Sequence, residues 1–188
     1  MYLQSRYYRA PEVIVGNPYS TEIDIWSIGC IAAELFLGDP LFAGTCEYDQ
    51  IAKIVDLIGP ITMPIFNLKK FLKYFVINNN SNYNSINSTN IANNSLKLEK
   101  DYYNQYPKEK KETSNGFPHD IKCLEDIAKI KTKADPQEVE IFIWFLKDLL
   151  VMDPKKRLSA KKALNHPFIT KKRITGKKHL IKLYYYLK

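Results

Sequence analysis

Residues 20–37 read STEIDIWSIGCIAAELFL, and this stretch decides the fold class. Ser20 or Thr21 can cap a helix, and the acidic residues that follow lie in the first turn, where the helix dipole favours negative charge. Gly38 stands where a helix is expected to end, with a proline two residues later. Because most positions between these signals are apolar, the sequence predicts a central helix that is buried on most sides.

Three further segments have helical patterns. Residues 46–58 are amphipathic and end at a Gly-Pro pair, and residues 136–151 carry an apolar stripe that begins after Asp-Pro. Residues 159–165 predict a short helix with Ser159 as its cap and a proline as its stop. No pair of strands is convincing. The ordered part is therefore predicted to be mainly α-helical, with long irregular connections.

Residues 78–95 have an unusual composition, with nine Asn and four Ser in NNNSNYNSINSTNIANNS. Such a segment has too few apolar side chains to offset the entropy of ordering the chain. We therefore predict a disordered insert over these residues.

The basic charge is confined to the C-terminal end. The chain carries 28 Lys or Arg and 20 Asp or Glu, but residues 155–188 hold 12 of the basic residues and no acidic one. The remainder is slightly acidic, so we favour a solvated basic tail over a nucleic-acid-binding patch, although the second alternative predicts salt-dependent DNA or RNA binding.

The sequence also bears on the compartment. No apolar run reaches the ~18 residues that a membrane span needs, and no secretion signal opens the chain. Cys30, Cys46 and Cys123 are an odd number without metal-binding spacing, which favours reduced thiols. We expect an intracellular protein, cytoplasmic or nuclear, without a membrane partner.

No set of residues within the chain predicts catalysis. The three histidines lie far apart and none neighbours a Ser or Cys nucleophile, and no His/Cys/Asp cluster has the spacing of a metal site. The seven glycines form no phosphate-binding loop. We therefore predict no catalytic residue and no metal ligand in these 188 residues.

Asp24 is a polar residue in an apolar context. It shares a helical face with Ile28, Ile31 and Leu35, at offsets of four, seven and eleven. A carboxylate aimed into that face costs several kcal/mol unless hydrogen-bond donors meet it. From spacing alone, a buried acceptor of backbone N–H groups and a solvent-exposed partner of the helix dipole are equally favoured.

Three segments together resemble the C-terminal lobe of a eukaryotic protein kinase. They read SRYYRAPEVIVG, EIDIWSIGCIAAELFLGDPLFAG and LLVMDPKKRLSAKKALNHPFI. The motifs within them are A-P-E at 10–12, D-x-W-S-x-G at 24–29 and D-P-x-x-R at 153–157. The form YLQSRYYRAPE is similar to the dual-specificity tyrosine-regulated kinases, with the Yak-type and homeodomain-interacting branches both close. The resemblance covers residues 1–60 and 117–170, and the family carries an insert between them.

The resemblance gives roles to the first residues. Tyr2 corresponds to the activation-loop tyrosine that these kinases autophosphorylate. Arg6 and Arg9 would bind its phosphate, because guanidinium groups bind phosphate bidentately. The pocket for the substrate residue after the phosphoacceptor would be formed by Ser5, Arg6, Tyr8 and Ala10.

Other positions correspond to structural residues of the family. Glu12 would form a buried ion pair with Arg157, and Asp24 would hold the backbone of the catalytic loop, which favours its burial. Trp26 and Gly29 would pack within the central helix.

The kinase motifs that carry the chemistry are not in this sequence. The Gly-rich loop, the strand lysine, the H-R-D loop and the D-F-G metal site all precede A-P-E in a kinase. The resemblance thus implies a partial kinase domain over 1–170, with the N-terminal lobe and catalytic loop absent, followed by a basic tail over 171–188. The intact parent would use ATP and magnesium, whereas this chain alone would bind neither.

Two functions follow as expectations. The first is a fragment of a Ser/Thr or dual-specificity kinase that supplies the end of the activation loop, the substrate pocket and a helical scaffold. Its partners would be the protein substrate and the missing N-terminal lobe and catalytic loop. The alternative is a non-catalytic protein-interaction module derived from a kinase C-lobe.

Overall fold

The computed structural model describes residues 3–77, 94–109, 117, 120–130 and 133–171, and these form a mainly helical structure, as predicted. The α-helices of the described residues are α1 (Pro11–Ile14), α2 (Glu22–Leu37), α3 (Glu47–Ile58), α4 (Leu68–Tyr74), α5 (Glu99–Gln105), α6 (Pro136–Leu149), α7 (Ala160–Ala163) and α8 (Pro167–Thr170). Short 3-10 helices lie at Arg6–Tyr8, Pro107–Glu109 and Leu124–Lys129.

Helix α2 lies at the centre of the structure and packs against α6 and the 3-10 turn at Arg6–Tyr8. It ends at Gly38, whose φ of 84° is the left-handed conformation expected at a helix C-terminus. The contact with α6 requires Gly29, because a Cβ there would lie 2.8 Å from Leu150 Cδ2. Any larger residue at position 29 would push the two helices apart.

The prediction that the chain has no strand pair is wrong. Strands β1 (Phe75–Ile77) and β2 (Asn94–Leu96) pair antiparallel, with Phe75 opposite Leu96 and Ile77 opposite Asn94. Two strands of three residues are too short to show the alternating pattern by which a strand is recognised in sequence. Asn94 and Ser95 of the predicted disordered insert therefore lie in β2, and its other residues, 78–93, lie outside the described residues.

A cluster of stacked tyrosines (Tyr48, Tyr74 and Tyr102) ties the insert between the two kinase-like segments, residues 61–116, to α3. The Tyr102 ring lies 4.3 Å from the Tyr48 ring and 6.0 Å from the Tyr74 ring, centroid to centroid. Burial raises the pKa of Tyr74 and of Tyr102 well above the ordinary range, and it raises the pKa of Tyr48 to about 12. These hydroxyls stay protonated and act as hydrogen-bond donors.

The insert is also fixed to the end of α1. Asn17 donates to the Pro64 carbonyl at 2.7 Å and accepts from the Phe66 N–H at 2.9 Å. Lys70 Nζ donates to the Val13 carbonyl at 3.2 Å. Because Asn17 is buried and both ends of its amide are bonded, the start of the insert has a defined position against α1.

The C-terminal helices begin with the predicted caps. The Asp135 side chain accepts from the Gln137 N–H at the start of α6, and Ser159 accepts from the Lys162 N–H at the start of α7. The proline that ends this pattern also opens α8, which is capped by His166. Residues 172–188 of the basic tail lie outside the described residues. No helix in the described part of the chain is long and apolar enough to cross a membrane.

Candidate functional site

The strip formed by residues 3–10 is attached to α2 by Gln4. The Gln4 side-chain amide donates to the Ile23 carbonyl at 3.0 Å and to Ser27 Oγ at 2.8 Å, and its oxygen accepts from the Ala10 N–H at 3.1 Å. Gln4 has a φ of 62°, which is rare for a non-glycine residue. The three hydrogen bonds therefore hold a strained backbone in place.

Arg9 fixes the backbone of the same strip through a second set of hydrogen bonds. It is 5% exposed, and its Nε and Nη2 donate to the carbonyls of Leu3 and Gln4, both at 3.0 Å. Its Nη1 lies 2.9 Å from Glu47 Oε1. Arg9 is thus a buried cation with an acidic partner, and its planar fork sets the position of two consecutive carbonyls.

Arg6 reaches towards the loop before α3. Its Nη1 donates to the Thr45 carbonyl at 2.8 Å and to the Gly44 carbonyl at 3.3 Å. Arg6 and Arg9, the two predicted phosphate-binding residues, therefore both belong to the strip and both contact backbone carbonyls. Tyr2 lies outside the described residues.

The remaining residues of the predicted substrate pocket differ in exposure. Ser5 is exposed and Ala10 is completely buried. The Tyr8 hydroxyl donates to Glu34 Oε2 at 2.7 Å, and this hydrogen bond raises the pKa of Tyr8. Ser27 Oγ donates to the Tyr8 carbonyl at 2.9 Å, so α2 supports the strip along its length.

Glu12 and Arg157 form the ion pair that the resemblance implied. Arg157 Nη1 and Nη2 donate to Glu12 Oε1 and Oε2 at 2.8 and 3.0 Å, and the two side chains are 0% and 1% exposed. Arg157 also donates to the carbonyls of Glu22 and Val151. The pair joins the end of the strip to residues 145 positions later in the chain.

The Arg157 guanidinium also packs on Trp26. Its Cζ lies 5.2 Å from the centroid of the Trp26 ring, a cation–π distance, and the same ring stacks on Phe42 at 5.9 Å. Trp26 is completely buried. The charged pair is therefore enclosed by an aromatic wall, which strengthens its electrostatic interaction and increases the penalty for separating it.

The described residues leave Asp24 exposed, so they do not show the burial that the resemblance implies, and α2 is open along this one face while its other sides are buried or half-buried. Asp24 is exposed, and Ile28, Ile31 and Leu35 of the same face are 49%, 45% and 82% exposed. The helical offsets are as predicted, but none of the described segments covers this face. We call the face formed by these four residues the α2 face. Beside it, an apolar groove of about 380 Å³ is lined by residues of α2, α6 and α8.

The parts of the chain that the structure describes contain no group of three or more His, Cys, Asp or Glu that could hold a metal ion.

Comparison with known proteins identifies the family. The family model described as "Protein kinase domain" matches residues 1–169. The chain belongs to the protein kinase family. "Serine/threonine-protein kinase ppk15" of Schizosaccharomyces pombe is 40% identical over 185 residues, a match that covers 90% of this chain and 32% of that protein. "Dual specificity protein kinase YAK1" of Saccharomyces cerevisiae is 37% identical, covering 93% and 23%. "Homeodomain-interacting protein kinase 2" of Mus musculus is 36% identical, covering 90% and 14%.

These relatives confirm the resemblance to the Yak-type, homeodomain-interacting and dual-specificity tyrosine-regulated kinases. The chain spans less than a third of the length of each relative named above. Membership of the protein kinase family is thus shown for this chain.

Three residues of the site could not be recognised from the sequence. Gln4, Glu34 and Glu47 all contact the strip through their side chains. Glu34 and Glu47 are ordinary polar residues of the helices α2 and α3, and glutamine has no preference for the positive φ that Gln4 adopts. Only the folded arrangement brings Glu34 and Glu47 to partners 26 and 38 positions away, and Gln4 to partners in α2 that are 19 and 23 positions away.

His166 predicts a measurable pH dependence of stability. Burial lowers the pKa of His166 to about 4, and its Nε2 faces Asp148 Oδ2 at 3.8 Å, while its Nδ1 accepts from the Phe168 N–H. Because the folded pKa is below the unfolded value, protonation favours the unfolded chain. The stability that neutral His166 contributes to the fold is complete above pH 6.5 and is lost as the pH falls towards 4.

We expect His166→Asn to reduce the loss of stability between pH 7.5 and 5, measured as the urea midpoint of unfolding. Asn keeps a capping oxygen for α8 but does not titrate. Because both proteins contain the same carboxylates, the difference between the two pH profiles is the result that matters. Parallel profiles would contradict the assignment.

Proposed function

We propose that this chain is the C-terminal part of the catalytic domain of a Ser/Thr or dual-specificity protein kinase. The intact enzyme transfers the γ-phosphoryl group of ATP, with magnesium, to hydroxyl groups of protein substrates in the cytoplasm or nucleus. This chain supplies the end of the activation segment, the substrate pocket and the helical scaffold, and does not transfer phosphate alone. Membership of the kinase family and the order of its three motifs support this assignment.

ATP and magnesium are not assigned to residues of this chain. The 188 residues include no Gly-rich loop, H-R-D or D-F-G, and the described residues include no acidic cluster that could bind a metal ion. The role of this chain is instead to position the substrate and to support the part of the domain that binds the nucleotide.

The observation that carries the proposal is the α2 face. The other sides of α2 are buried or half-buried, yet Ile28, Ile31 and Leu35 are exposed in a row that begins with the Asp24 carboxylate. Contiguous apolar surface of this kind marks an interaction site. We propose that the preceding part of the kinase domain covers the α2 face, and that its backbone N–H groups meet Asp24.

The same face is compatible with the second candidate, a non-catalytic interaction module that binds a different protein. The nucleotide sequence before the codon for Met1 distinguishes the two. An open frame that encodes H-R-D followed by D-F-G supports the kinase, whereas a stop codon or unrelated sequence directly before Met1 supports the module.

We propose that the strip contacts the substrate and responds to phosphorylation. Ser5, Arg6, Tyr8 and Ala10 would form the pocket for the residue after the phosphoacceptor. Arg6 and Arg9 would bind a phosphate on Tyr2, and this requires them to exchange or share their present contacts with carbonyls and with Glu47. A phosphate carries roughly −1.5 to −2 charge, enough to compete for a guanidinium group.

This proposal predicts that Tyr2→Phe lowers the activity of the intact parent kinase roughly tenfold, because the variant cannot form the charge-assisted bonds that order the loop. The measurement is peptide phosphorylation together with mass spectrometry of Tyr2. Tyr19→Phe is the control, since Tyr19 is exposed and lies outside the strip. Full activity of Tyr2→Phe, with no phosphate on Tyr2 in the wild type, would contradict the proposal that phosphorylation of Tyr2 activates the kinase.

A further inference from the structure

A continuous set of side-chain contacts connects the far end of the insert to the tyrosine cluster. Glu109 accepts from the Tyr102 hydroxyl at 2.5 Å and from Lys73 Nζ at 2.8 Å. Tyr102 in turn stacks on Tyr74, and Lys73 lies over both rings. The rings of Tyr74 and Tyr102 are completely buried, so the insert holds Tyr74 in one position.

Glu47 joins this cluster to the strip. Its Oε2 accepts from the Tyr74 hydroxyl at 2.8 Å, and its Oε1 accepts from Arg9 Nη1 at 2.9 Å. The Glu47 carboxylate therefore binds the insert through one oxygen and the strip through the other. A rotation of the Glu47 carboxylate that breaks one contact would disturb the other, because both oxygens belong to the same rigid group.

Arg9 transmits the position of Glu47 to the backbone of the strip. The guanidinium is planar, so fixing Nη1 also fixes the directions of Nε and Nη2, which hold the carbonyls of Leu3 and Gln4. Gln4 then accepts the Ala10 N–H through its side chain. The path from Tyr74 to the Ala10 amide thus consists of four consecutive hydrogen bonds.

We propose that Glu47 is a positioning residue through which the tyrosine cluster of the insert sets the shape of the strip. Whatever moves Tyr74, such as a protein bound to the insert, changes the position of Arg9 and with it the pocket. The description of the strip as a substrate pocket rests on the proposed function. The coupling between Tyr74 and the strip does not, because it is a property of the fold.

The test is hydrogen exchange of the 188-residue chain carrying Tyr74→Phe. This substitution removes the hydroxyl that orients Glu47 and keeps the stacked ring. The reporters are the amides of Tyr8, Arg9 and Ala10, each of which donates a hydrogen bond within the strip. Because a hydrogen bond to a charged group is lost, we expect roughly three- to tenfold faster exchange of these amides relative to amides of α6.

Tyr48→Phe is the matched control. Tyr48 is buried in the same cluster and stacks on Tyr102, but its hydroxyl donates to the Lys97 carbonyl. Both variants lose one buried hydroxyl, but only Tyr74→Phe loses a hydrogen bond to Glu47. We expect Tyr48→Phe to leave the ratio of strip exchange to α6 exchange within twofold of the wild type.

Glu47→Gln is the second variant, since it keeps the shape of the side chain and removes the charge opposite Arg9. It too should raise strip exchange relative to α6. The proposal is overturned if neither variant changes this ratio, if Tyr48→Phe changes it equally, or if exchange rises everywhere, α6 included. No nucleotide or substrate is present, so failure here is separate from failure of the proposed kinase function.

Discussion

Arg157→Ala should destabilise the chain far more than a surface substitution does, and we expect it to lower the free energy of unfolding by about 3–5 kcal/mol. The variant leaves the Glu12 carboxylate buried without its cation, and it removes the donors to the carbonyls of Glu22 and Val151. Thermal or urea unfolding followed by circular dichroism measures the effect. For a chain of this size the melting temperature should fall by roughly 10 °C.

Two further variants show whether the ion pair is the cause. Lys156→Ala removes a neighbouring cation that is 73% exposed, and it should change stability by less than ~0.5 kcal/mol. Adding Glu12→Gln to Arg157→Ala removes the stranded charge and should recover part of the lost stability. An unchanged melting temperature for Arg157→Ala would refute the structural role of the pair.

The second large effect is expected for a substitution in the α2 face, and its size depends on whether the preceding part of a kinase domain is joined to the chain. In the isolated chain Ile31→Asp should be nearly neutral, because Ile31 is 45% exposed. When the chain is joined to the preceding part of a kinase domain, the same substitution should reduce phosphoryl transfer by roughly a hundredfold or more. The new carboxylate would then be buried among apolar side chains, at a cost of several kcal/mol.

Leu98→Asp is the control for Ile31→Asp. Leu98 is 62% exposed and occupies the N-cap of α5, where an aspartate is favourable. It introduces the same charge at a place where the proposal expects no contact with the kinase N-terminal part. Equal activity of Ile31→Asp and Leu98→Asp in the joined protein would contradict the proposed use of the α2 face.

The sequence predicted those parts of the fold that local signals determine. The caps at Asp135 and Ser159 and the left-handed Gly38 lie at or within two residues of the predicted helix ends, since these residues act on their immediate neighbours. The Glu12–Arg157 contact spans 145 positions, and only the resemblance to kinases made it foreseeable. Spacing and composition alone do not pair residues at such separations.

The errors have a common physical origin. The burial of Asp24 was implied by the resemblance to kinases and that of the apolar residues beside it by residue type, but burial depends on which segments pack on a position. The strands β1 and β2 depend on pairing across the insert, which leaves no periodic signal in three residues. Likewise, Gln4 and Glu47 gain their importance from neighbours that are distant in sequence.

The most direct test of the central claim is radiolabelled phosphate transfer from ATP to a protein substrate, by the chain alone and after fusion to the preceding kinase segment of the Schizosaccharomyces pombe relative. We expect no transfer by the 188 residues alone and clear transfer by the fusion. That kinase segment without this chain serves as the control and should be inactive. Transfer by the isolated chain, or a folded but inactive fusion, would contradict the assignment of this chain as the C-terminal part of a catalytic kinase domain.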